Sequence, residues 1–84
     1  MKIMFSAYAW EDYLYWKNND PKILARINTL IKEIKRSPFS GIGKPEPLKH
    51  ALQGYWSRRI TDEHRIVYAV SNDVLLLAQI RNHY

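Results

Sequence analysis

Polar and apolar positions along the chain change period twice, and the changes divide it into elements. Lys2 to Phe5 (KIMF) is a short β-like run, and Ser6 behind it has the side chain of a helix N-cap. In the following AYAWEDYLYWKNN, residues 7–19, Ala9, Tyr13 and Trp16 recur at i, i+4 and i+7 with Trp10 and Leu14 beside them. Glu11, Asp12 and Lys17 take the other side, so the spacing predicts an amphipathic helix that ends at the Asn18-Asn19-Asp20 stretch. Asp20 before Pro21 opens a second helix, because a carboxylate accepts the orphan N–H groups and proline loses nothing at the first position. Ile23, Leu24, Ile27, Leu30, Ile31 and Ile34 form its core stripe. Lys32, Lys35 and Arg36 complement its negative end, and Ser37-Pro38 closes it.

From Pro38 to Gly54 two glycines in the loop and two prolines around Glu46 exclude a long regular element, which predicts a structured loop or a short edge strand. Three β-like runs follow, residues 55–60, 65–70 and 74–81, separated by TDEH and SND. They predict an antiparallel meander. The last run is apolar on both faces, as expected of a central strand covered by the helices on at least one side.

With 84 residues the chain has room for one domain, residues 1–84, and its 46% hydrophobic content suffices for a single core. The absence of cysteine excludes disulfides and zinc–thiolate sites. Without an apolar leader or an 18-residue apolar run, a cytoplasmic location is expected. Thirteen Lys and Arg against eight Asp and Glu give a net charge of +5, which suits a polyanionic partner such as nucleic acid or an acidic protein.

The candidate chemistry lies in the second half. Glu46 stands in Pro45-Glu46-Pro47, where the second proline forces it into an extended conformation. Arg58, Arg59 and Arg65 flank the TDEH turn, and guanidinium groups suit phosphate through their planar, permanently charged fork. Register decides which of them share a face. Pairing 59 with 65 puts both on one side, pairing 60 with 65 separates them, and ion pairs to Asp62 or Glu63 on a solvent face are the alternative. If the last strand stays extended, Leu75, Leu77, Gln79, Arg81 and His83 point one way. His50 and His64 fall in a loop and a turn. No histidine pair has metal-ligand spacing, so no metal or other cofactor is expected. One glutamate, several arginines, Lys49 and a histidine supply what metal-independent RNA cleavage through the ribose 2′-hydroxyl requires: a base, cations for the crowded phosphate, and an acid for the leaving oxygen.

The segment GKPEPLKHALQGYWSRRITDEHRIVYAV, the final RNHY and the early WEDYLYW resemble the YoeB family of bacterial toxins, in the RelE/ParE superfamily. The resemblance implies a microbial-ribonuclease-like α+β fold, with two N-terminal helices packed on a twisted antiparallel sheet, and cleavage of messenger RNA in the ribosomal A site. It also implies roles: Glu46 as general base, His83 as general acid, Arg65 on the transition-state phosphate, Lys49 and Arg59 in support, and Tyr84 positioning or stacking against the substrate nucleotide. On this reading the chain finishes at His83 and Tyr84 because both belong to the site. A YefM-type antitoxin, the 70S ribosome with its messenger, and a homodimer are the implied partners. Ser40, Ile42 and Asn82 depart from the family pattern and leave every assigned position intact. A ParE-like gyrase inhibitor and a binding-only ribosome inhibitor are the competing readings.

Overall fold

The computed structural model describes residues 1–81, so the roles expected of His83 and Tyr84 fall outside the described residues. In chain order the elements are β1 (Lys2–Phe5), α1 (Ala7–Asn19), α2 (Pro21–Arg36), β2 (Glu46–Pro47), a 3₁₀ turn (His50–Leu52), β3 (Trp56–Arg59), β4 (Arg65–Ser71) and β5 (Val74–Gln79). Both predicted caps are present. Asp20 accepts the N–H groups of Lys22 and Ile23 at 3.2 Å. Ser6 accepts from the Ala9 N–H at 3.0 Å and donates its hydroxyl to the Ala78 carbonyl at 2.7 Å, so the residue that starts α1 also ties it to β5.

One five-stranded sheet runs in the order β1-β5-β4-β3-β2. Strands β2 to β5 are antiparallel, as expected, whereas β1 lies parallel to β5 with Lys2 opposite Val74 and Phe5 opposite Leu77. The sheet is therefore mixed. No turn links β1 to β5; the helical hairpin carries the chain across one face, and the meander then returns to β1 from the far edge. Helices α1 and α2 cover that face, and Ile27, Leu30 and Ile34 of α2 meet Ile66, Tyr68, Leu75 and Leu77 of the sheet in the core.

Two local geometries set which side chains reach which face. Asn72 and Asp73 both have positive φ, 50° and 61°, the two-residue hairpin geometry that follows strand twist. Within β4–β5 the register slips, since Val67 pairs with Gln79 but Tyr68 with Leu77, leaving Ala78 as the extra residue of a bulge. Alternation predicted Leu75, Leu77 and Gln79 on one side. The bulge corrects this: Leu75 and Leu77 face the helices, and Gln79 turns with Val67 to the other face.

The glycine-rich stretch after α2 is held by Arg58. Its side chain is fully buried on the helix-covered side. The Nε atom donates to the Tyr68 hydroxyl at 3.1 Å, Nη1 to the Ile42 carbonyl at 3.1 Å, and Nη2 to the carbonyls of Ser40 at 2.8 Å and Ser37. The Tyr68 hydroxyl in turn donates to the Pro38 carbonyl at 2.7 Å. Carbonyls that no helix or ladder satisfies thus converge on one guanidinium. Gly43 is required beside it, because its φ is +84° and a Cβ there would lie 2.9 Å from Leu30 and 3.1 Å from Arg58.

Replacing Arg58 with Met should cost about 3 kcal/mol in urea unfolding, since the buried Tyr68 hydroxyl and three partly buried loop carbonyls lose their donor. Burial raises the Tyr68 phenol above its ordinary 10.0, and the Arg58 hydrogen bond and charge partly oppose the shift. The phenol's contribution is therefore intact below pH 10 and is lost as pH rises through the higher folded value, because the unfolded chain ionises first. The stability of Tyr68→Phe should accordingly fall less steeply above pH 10 than that of the parent.

Candidate active site

The face of the sheet away from the helices brings Glu46, Arg59 and Arg65 together. Residues directly opposite in an antiparallel pair share a face. Glu46 pairs with Ser57 and Ser57 with Val67, while Arg59 pairs with Arg65 in the neighbouring row. The register left open by the sequence is thus the one that puts Arg59 and Arg65 on one side. Arg58, grouped with them in the sequence, points the opposite way and belongs to the core.

At the centre, Arg65 Nη1 donates to Glu46 Oε1 at 3.2 Å and to Ser57 Oγ at 3.4 Å. The Arg65 side chain is 16% exposed and that of Glu46 51%, so the cation lies in the sheet's surface and the carboxylate stands above it. Glu46 holds this place because β2 is an edge strand. There Pro47 forfeits no inward ladder bond, and the two flanking prolines limit the backbone to extended forms. Ser57 is fully buried, and its small side chain leaves room for the guanidinium crossing from Arg65 to Glu46. The sequence reading missed Ser57; its signal, a small polar residue between Trp56 and Arg58, becomes legible only once register is known.

Arg59 is fixed through its backbone. Its N–H donates to the Gly43 carbonyl at 2.7 Å, and its own carbonyl accepts from Arg26 Nη2 at 3.3 Å. Two arginines set opposite each other repel, a cost that a bound anion would remove. Lys49 is exposed on the segment after β2 and lines a shallow concavity of about 390 Å³ with Glu46, Pro47, Leu48 and His50. His64 leads into β4 with its ring edge-to-face against Trp16, centroids 4.8 Å apart, and its Nε2 3.6 Å from Glu63 Oε1. The arrangement offers a half-exposed carboxylate as proton acceptor beside a guanidinium suited to a phosphate oxygen, with two more cations at the rim. Among the described residues no group of three His, Asp or Glu side chains comes together as a metal site, and no helix is long and apolar enough to cross a membrane.

Because Glu46 is half exposed, its pairing with Arg65 adds little to folding. Glu46→Gln should shift the urea unfolding free energy by no more than about 1 kcal/mol. A larger loss would mark the pair as a structural strut.

Residues 5–84 match the family described as a YoeB-like toxin of bacterial type II toxin-antitoxin systems. The chain is 60% identical to Toxin YoeB of Escherichia coli (strain K12) over 84 residues, all of both chains. Its fold superposes on the YoeB/ParE toxin from Agrobacterium tumefaciens with a TM-score of 0.98 at 50% identity, covering 100% of each chain. YoeB from Staphylococcus aureus, solved in a YoeB-YefM complex and as a YoeB dimer, gives a TM-score of 0.93 in each, at 47% and 48% identity, covering 100% of this chain and 98% of the other.

Proposed function

This chain belongs to the YoeB-like toxins of bacterial type II toxin-antitoxin systems, and from that premise we propose that it is a ribosome-dependent endoribonuclease that cuts messenger RNA in the ribosomal A site without a metal. The observation that carries the reading is the contact of Arg65 with Glu46 at 3.2 Å on the helix-free face, flanked by Arg59 and Lys49.

The steps follow from what each group can do. The Glu46 carboxylate takes the proton from a ribose 2′-hydroxyl, and the oxygen attacks the adjacent phosphorus as the bond to the 5′-oxygen breaks. His83 gives that oxygen its proton, leaving a 5′-hydroxyl on one fragment and a 2′,3′-cyclic phosphate on the other. Negative charge gathers on the phosphate oxygens at the crowded stage, and Arg65 offsets it. A guanidinium presents five donors in one plane, so Arg65 can hold Glu46 in line and a phosphate oxygen together. Arg59 and Lys49 hold flanking phosphates, and Tyr84 stacks on an unpaired base of the codon. DNA, lacking the 2′-hydroxyl, would not react.

The partners follow from charge and kinship. A net +5 suits ribosomal RNA and messenger on the 70S ribosome. A YefM-type antitoxin is the proposed neutralising partner, supported by the Staphylococcus aureus complex, and a homodimer is supported by the dimer from the same organism.

The deciding experiment adds the protein to ribosomes stalled on a defined messenger and maps new RNA 5′ ends, with free messenger in parallel. A discrete cut in the A-site codon, absent with Glu46→Gln or His83→Gln, is the expected outcome; blocked translation with intact messenger would refute the nuclease reading. In the same assay Arg65→Ala should slow cleavage by roughly 10² to 10³ without abolishing ribosome binding.

A further inference from the structure

The WEDYLYW segment of α1 has no part in the mechanism above, yet one turn of it grips the end of β5. The β4–β5 ladder stops at Gln79, so the backbone groups of the buried Ile80 need other partners. Asp12 and Trp16 supply them. The Ile80 N–H donates to Asp12 Oδ2 at 3.0 Å, and the Ile80 carbonyl accepts from Trp16 Nε1 at 2.9 Å. Asp12 was expected on the solvent side of the helix; the i, i+4 spacing instead stacks it beside Trp16 over the strand's exit. Tyr15, in the same turn, receives the Arg81 guanidinium 3.5 Å from its ring centroid. From the other side the His64 ring buttresses Trp16.

One hydrogen bond would leave the strand end free to pivot. Two, to both polar groups of a single residue and from one rigid helix, fix the orientation of the peptide planes on either side of it. We infer that Asp12 and Trp16 are positioning residues, a two-point clip on Ile80 that sets the direction in which the chain leaves β5 and on which the work of the proposed acid, His83, depends. The inference rests on the nuclease reading, with His83 as the acid.

The shortness of the chain beyond the clip makes it consequential. His83 follows Ile80 by three positions in the sequence, so few bonds separate the anchor from the proposed acid. Gln79, the residue before the anchor, already stands in the row Gln79-Val67-Ser57-Glu46 across the active face. With so few residues between them, the direction fixed at residue 80 bears directly on the reaction proposed for His83. Misplacing a catalytic group by about 1 Å costs up to about 10²-fold in rate.

The test measures kcat and KM for messenger cleavage on stalled ribosomes together with amide hydrogen exchange at Ile80. Asp12→Ala and Trp16→Phe, the latter keeping an aromatic ring but losing the N–H, should lower kcat by about 10- to 100-fold with KM within about twofold. Asp12→Asn retains an acceptor oxygen and should recover most of the rate. Ile31→Val trims the core from α2 without touching residue 80, and should leave kcat unchanged even though it lowers stability. Exchange at Ile80 should quicken in Asp12→Ala while amides in the middle of β4 keep their protection. Wild-type kcat in Asp12→Ala, or equal Ile80 exchange in both proteins, would overturn the clip. If the parent protein itself leaves the messenger intact, the nuclease reading falls and takes the positioning role with it; the exchange data separate that result from failure of the clip.

Discussion

A single buried guanidinium holds the loop side of the molecule together. Arg58 carries its charge into a region without water, which is tolerable only because each nitrogen has an acceptor. Among the described residues no buried side-chain nitrogen or oxygen lacks a partner. The acceptors are carbonyls of Ser37, Ser40 and Ile42, so a segment too rich in glycine and proline for regular structure still follows one path. That path ends at Gly43, whose carbonyl receives the Arg59 N–H, and leads directly into Pro45-Glu46-Pro47. The place of the candidate base therefore traces back to a residue on the opposite face of the sheet.

Strand geometry explains how two adjacent arginines come to such different work. Successive side chains on β3 point to opposite faces, so Arg58 is committed to the core as surely as Arg59 is committed to the surface. The sheet is divided throughout in this way. One face is closed by α1 and α2 and supplies stability; the other sets the charged and polar side chains of Glu46, Ser57, Arg59 and Arg65 beside the buried Val67. Only the bulge at Ala78 breaks the alternation, and it does so where β5 must bury Ile80 while turning Gln79 outward.

Local features were legible in the sequence because local forces produce them. Both helices, their caps at Ser6 and Asp20, the α2 stripe and the meander follow from periodicity and capping chemistry. The meeting of Glu46 with the arginine face needed the register of β2 on β3 as well as that of the β3–β4 hairpin. What escaped depends on distant partners. The parallel seating of β1 leaves no turn signal, a one-residue bulge leaves none in an apolar strand, and the acceptors of Arg58 are backbone carbonyls that no side-chain pattern reveals. Asp12 looked like an ordinary solvent-facing carboxylate because its partner is a backbone N–H 68 positions away.

The seating of β1 has a consequence for synthesis. Lys2 pairs with Val74, so the two strands joined at that edge are made almost at opposite ends of the chain's elongation. Domains form from the N-terminal side as the chain is made, but this sheet cannot close until β5 has been made. Contacts so far apart also close slowly. Until then β1 waits with neither edge paired, and the exit of β5 that α1 grips does not yet exist. The edge that joins β1 to the sheet is therefore among the last parts of the fold to form, after the helices and the meander it closes upon.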